Sequence, residues 1–130
     1  MRARQDLLFG PLPVDLINKT LGLELEPGEV VLSRGAQFHA HKRHPDVYNQ
    51  CLPHVAQVVV SPLYLGDDFR NENSIEMVCR IPAMGAGLLV AISVELTNDG
   101  YYHVKSFYPV SEIKIENRRN KGHLKIVVKV

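Results

Sequence analysis

The chain has no tryptophan, only two cysteines, no long apolar run and almost no net charge, and each shortage removes a class of protein. A formal charge of +1 over 130 residues gives no bulk attraction for nucleic acid, so any binding of RNA or DNA must come from local patches. Two such patches exist, "HKRH" at 41–44 and "NRRNKGHLK" at 117–125. Cys51 and Cys79 sit among apolar neighbours and form no CxxC pair, so they read as small buried hydrophobes or at most a single bridge, not a disulfide framework. Nothing is long and apolar enough to span a bilayer, and "MRARQDLLFG" lacks the apolar run of a signal peptide; a cytoplasmic site of action without a membrane is the expectation. The apolar fraction of 45% is ordinary for a folded domain, and the length suits one domain with a true core.

What is there in abundance is histidine in one place. "FHAHKRHPD", Phe38 to Asp46, holds three of the six histidines around a Lys-Arg pair, closed by a proline. The local pattern places this stretch on a helix. "EVVLS" at 29–33 reads as a strand, and Ser33 is a suitable N-cap for a helix from Arg34 to Arg43, since its hydroxyl can take a free backbone N–H. Pro45 ends that helix by pushing its neighbour out of helical angles. A second helix is expected over 46–60, with Pro53 as a kink, and "SPLYLGDD" as a turn or loop. Strands follow at 74–81 and 88–97, then the hairpin signal "NDG" at 98–100, then "YYHVKSFYP" at 101–109 as an antiparallel partner. The tail 123–130 can add a last strand. Helices first and a meander afterwards argue for an α+β domain, with N-terminal helices packed on a C-terminal antiparallel sheet.

Three chemistries compete for the histidine cluster: a metal site, an anion-holding patch, and acid/base catalysis. Zinc wants about four ligands at compatible spacing, or three and a water. His41 and His44 stand three apart, His39 points elsewhere, and no cysteine pair completes a set, so no metal is assigned. For acid/base work the geometry is better. His39 and Arg43 are four apart and share a helix face, while His44, freed by Pro45, can turn toward the same cleft. Imidazoles in general change charge near neutrality, and two of them can move the proton of a ribose 2′-OH as base and acid. Lys42 or Arg43 would stabilise the charge on a five-coordinate phosphate. On strand 101–109, Tyr102, Val104, Ser106 and Tyr108 alternate onto one face, which aligns a hydroxyl with two rings; Tyr101, His103, Lys105 and Phe107 take the other. Alternation does not settle which face is buried.

The run "VVLSRGAQFHAHKRHPDVYNQCLPHVAQVVVSPLYL…NSIEMVCRI…LLVAISVE…YYHVKSFYP" resembles the phage-associated nuclease domains of the barnase–EndoU–colicin–RelE superfamily. The likeness covers about Glu29 to Pro109, and "HAHKRHP" together with "VKSFY" carries its specificity. It implies an RNase-like α+β fold and a metal-independent endoribonuclease, a toxin or phage effector, that needs no cofactor. It matches His39 and His44 to the motif histidines, Lys42 and Arg43 to the basic pair, and Ser106 to the late-strand hydroxyl, with Tyr108 two residues on. Asn73 matches the family's turn asparagine, and Arg34 is added as a possible phosphate contact. The expectation is therefore catalytic His39, His44 and Ser106, and substrate-binding Lys42, Arg43, Tyr108 and Arg34. The partner would be RNA, tRNA among the candidates, with an immunity or antitoxin protein covering the cleft. Residues 1–28 read as an extension or docking segment and 29–130 as the nuclease-like domain. The rival reading is a non-catalytic RNA- or protein-binding domain, such as a phage structural accessory, that keeps the fold.

Overall fold

Ser33 turns the chain from strand into helix. It follows β2 (Glu29–Leu32) in extended geometry, and its Oγ accepts the backbone N–H of Ala36 at 3.2 Å, as an N-cap should. The computed structural model describes residues 5–68 and 73–128. Helix α2 spans Arg34–Arg43, and its first N–H, that of Arg34, goes to Asp6 Oδ1 at 2.8 Å. Pro45 opens α3 (Pro45–Cys51), a position where its missing N–H would be unpaired in any case. The second helix is broken at Pro53, where a 3-10 turn, Leu52–His54, separates α3 from α4 (Val55–Val60).

Among the described residues seven strands form one sheet, in the order β1-β2-β6-β5-β4-β3-β7. The others are β1 (Leu7–Pro11), β3 (Tyr64–Asp68), β4 (Ser74–Ile81), β5 (Ala86–Ser93), β6 (Tyr101–Val110) and β7 (Lys125–Ile126). The domain is α+β, but the sheet is mixed, which corrects the expected purely antiparallel arrangement. β2 runs parallel to β6, pairing Glu29 with Tyr101 and Val31 with His103, while every other pair is antiparallel. A parallel pair needs a long crossover, and the helices and hairpins between β2 and β6 supply it.

The stretch expected as a loop, "SPLYLGDD", contributes β3, because Tyr64 and Leu65 are buried and the strand pairs on both sides, with β4 and β7. Gly66 permits that packing. A Cβ there would lie 2.5 Å from the carbonyl oxygen of His123 and 3.0 Å from Leu124. Gly66→Ala is expected to destabilise the fold by about 1–3 kcal/mol, read as a lower urea midpoint with an unchanged slope. The last strand is shorter than expected, since only Lys125 and Ile126 pair; 129–130 lie outside the described residues.

Helices cover both sheet faces unequally. Ile75, Met77, Cys79, Leu88, Val90 and Ile92 pack with Ile17 of α1 (Val14–Leu21), Tyr48 and Cys51 of α3, and Val55, Val58 and Val59 of α4. On the opposite face Ile115 of α5 (Glu112–Asn120) closes over Tyr64, Val78, Leu89, Val110 and Leu124. The segment read as an extension supplies β1 and α1, with Ile17 fully buried in the main core. Asn73 takes φ 49°, the left-handed region that asparagine tolerates, at the turn into β4.

A single irregularity in β6 decides which of its side chains face outward. The strand pairs Val104 with Ile92 and Ser106 with Ala91, so Lys105 is an extra residue, a β-bulge. The bulge overturns the expected alternation. Tyr102, Val104 and then Phe107 are buried, while Lys105, Ser106 and Tyr108 are exposed.

Candidate functional site

β2 registers with residues 101–103 of β6, and from Val104 onward the outer edge of β6 has no strand beside it among the described residues. Helices α2 and α3 lie there instead. Between them and the strand opens a groove of about 730 Å³. Its polar lining is His39, Arg43, His44, Lys105, Ser106 and Tyr108, and its apolar lining includes Ala36, Ala40, Val47 and Phe107.

The local sequence explains this gathering. Along α2 the row Gly35, His39, Arg43 and the adjacent row Ala36, Ala40, His44 both turn toward β6. Small residues at three of these six places leave room; nothing lies within 4 Å of where a Gly35 Cβ would stand. His44 is the joint between helices, with φ −144° and ψ 74°, its N–H donating to Ala40 and its carbonyl accepting from Tyr48. Pro45 is the reason it leaves the helix. From the other wall, the bulge presents Lys105 and Ser106 as consecutive exposed residues, with Tyr108 beyond them at 37% exposure.

Two residues that sequence reasoning passed over hold the walls in place. Gln37 is 4% exposed, and its Nε2 donates to the carbonyls of Leu32 at 3.1 Å and Gln5 at 2.5 Å. The hydroxyl of Tyr48 donates to Gln37 Oε1 at 3.4 Å, and the Tyr48 ring lies 5.9 Å from that of Phe107 in β6. Together they tie α2 to the segment before β1, to β2 and to α3, and α3 to β6. His41 packs edge-on against Tyr48, ring centroids 5.4 Å apart, and does not line the groove.

Of the seven residues expected at the site, five line the groove: His39, His44, Ser106, Arg43 and Tyr108. Arg34 and Lys42 do not. Both are exposed, on the row of α2 that also carries Phe38, whose ring lies 6.0 Å from Lys42 Nζ. Lys105 is the residue missed, because strict alternation set it on the other side of the strand from Ser106.

The second basic patch is engaged elsewhere. Arg118 is paired with Glu76, and Arg119 lies over the Tyr64 ring at 5.1 Å, with Arg80 also on that ring at 5.4 Å. Arg80 in turn grips Glu112 and holds its carboxyl below the usual range, so these arginines anchor α5 to the sheet. Burial pushes the thiols of Cys51 and Cys79 up, the direction opposite to that of an activated nucleophile. Among the described residues no three His, Cys, Asp or Glu side chains are grouped to hold a metal ion, and no helix is long and apolar enough to cross a membrane.

An arrangement of two exposed imidazoles, two cations and a hydroxyl around an open groove can bind a phosphodiester and move protons on either side of it. A family model described as phage-Barnase-EndoU-ColicinE5/D-RelE like nuclease matches residues 10–117, a span that contains every groove residue. No curated protein and no solved structure matches the chain.

Proposed function

Since the chain belongs to the phage-Barnase-EndoU-ColicinE5/D-RelE like nuclease family, we propose that it is a metal-independent endoribonuclease working in the groove between α2 and β6. The observation that carries this reading is the meeting of His39, Arg43 and His44 with Lys105 and Ser106, drawn from two distant stretches of the chain. One of His39 and His44 takes the proton of a ribose 2′-OH, and that oxygen attacks the adjacent phosphorus. The bond from phosphorus to the 5′-oxygen breaks, and the other histidine gives that oxygen a proton. A 2′,3′-cyclic phosphate and a free 5′-hydroxyl result. Arg43 and Lys105 stabilise the charge that gathers on the phosphoryl oxygens, and the Ser106 hydroxyl donates to one of them. Tyr108, exposed beside them, offers a ring on which a neighbouring base stacks.

The biological setting that accords with the family is a toxin or phage effector acting on RNA in a bacterial cytoplasm and restrained by an immunity or antitoxin protein seated over the groove. The rival is a non-catalytic RNA- or protein-binding domain. It draws on the openness of the same groove, where both histidines are exposed.

Total tRNA incubated with the protein in EDTA separates these readings. Cleavage is expected to proceed, leaving ends that resist phosphatase until acid opens the cycle. Cleavage that returns only with added divalent metal would sink the proposed mechanism, and intact tRNA bound without turnover would favour the rival.

A further inference from the structure

Arg34, Phe38 and Lys42 follow one another at four-residue spacing along α2 and form an exposed ridge beside the groove. Phe38 is 61% exposed, unusual for so large an apolar ring on the surface of a helix whose next row lines a cleft. The ridge stands about 100° around the helix from the row Gly35, His39, Arg43 that lines the groove, so a strand leaving the groove over α2 meets it. Helix α2 carries no acidic residue. Lys42 rests over the Phe38 ring at 6.0 Å, the outer limit of a cation–π contact, loose enough for a base to displace it.

We propose that the Arg34–Phe38–Lys42 ridge is a second nucleotide subsite, in which a base of single-stranded RNA flanking the scissile phosphate stacks on Phe38 while its phosphates meet Arg34 and Lys42. The inference rests on the ribonuclease reading of the groove for its substrate, and it extends that reading to a part of the strand that the groove does not hold. An exposed aromatic between two cations is what single-strand recognition uses, because every base has a face to stack and every linkage a charge to neutralise. It also gives Lys42 and Arg34 work outside the groove, consistent with their place on the helix. An acidic protein surface would satisfy the two cations but would leave the ring without a matching group.

The test measures binding of a fluorescent single-stranded RNA of about twelve nucleotides, 2′-O-methylated so that it cannot be cleaved, in EDTA. Phe38→Ala is expected to weaken binding roughly tenfold and Phe38→Trp to restore it, as loss and recovery of one stacked base would. In cleavage, the advantage of a long unmodified strand over a dinucleotide should shrink by a similar factor in Phe38→Ala. Binding by Phe38→Ala equal to that of the unaltered protein overturns the subsite, as does equal loss in the alanine and tryptophan variants. Poly-glutamate bound as tightly as RNA, with Arg34→Ala and Lys42→Ala weakening both alike, would assign the ridge to acidic protein and overturn it too. Phe38-dependent binding without any cleavage by the unaltered protein would keep the ridge and discard the nuclease reading of the groove. Cleavage with Phe38-independent binding would do the reverse.

Discussion

His44→Ala is expected to lower the rate of RNA cleavage by roughly 10²–10⁴-fold, and His39→Ala by a similar factor, the span that a positioned acid or base contributes. Both side chains are exposed at the groove, so neither replacement should disturb the core, and melting temperatures should stay close to that of the unaltered protein. The double variant carries the sharper information. If the two imidazoles act as one acid/base unit, losing both should cost little more than the worse single loss. Full activity in both His39→Ala and His44→Ala would move the chemistry away from this wall of the groove altogether. Single-turnover cleavage of labelled tRNA in EDTA, alongside thermal melts, reads all of these outcomes.

Arg43→Ala and Lys105→Ala should each reduce cleavage by roughly 10²–10³-fold if they meet the phosphoryl oxygens as charge develops. The loss should fall mainly on kcat, because charge stabilised only in the transition state leaves substrate affinity little changed. Lys105 is the more telling of the two. It reaches the groove only because the bulge inserts it between Val104 and Ser106, so a large effect there would tie catalysis to that irregularity. A loss confined to KM in both variants would make them general backbone contacts. The salt dependence of binding would then flatten in each, since a counterion-releasing contact has gone.

Much of the α2 wall was legible in the sequence because its determinants are local. Ser33 and Pro45 bracket the helix within a dozen residues, and "NDG" makes the turn into β6 in the same way, although β5 ends at Ser93 and not at the expected Thr97. The β6 wall was half legible. Alternation gives the strand, but an inserted residue shifts the phase of everything after it, and nothing in "VKSFY" marks Lys105 as the extra one. β3 was hidden because a glycine and two aspartates look like turn chemistry; only its partners β4 and β7 make it a strand. α5 was hidden by its polarity, since Ile115 is its single buried residue, although Ser111 caps it as Ser33 caps α2. The parallel pairing of β2 with β6 is a contact between distant segments, and periodicity carries no information about partners. Gln37 carries no signal in the sequence, because its burial depends on carbonyls at Gln5 and Leu32 that only the folded chain brings together.

That parallel pair also sets when the site can exist. Closing Glu29 onto Tyr101 means closing a loop of most of the domain, and such non-local contacts form late, after the entropy of the long loop has been overcome. During synthesis the histidines of α2 emerge before β6, with no facing strand. The groove cannot assemble until β6 has left the ribosome and found its place beside β2, so a nascent chain carries His39 and His44 but not the wall of β6 that faces them.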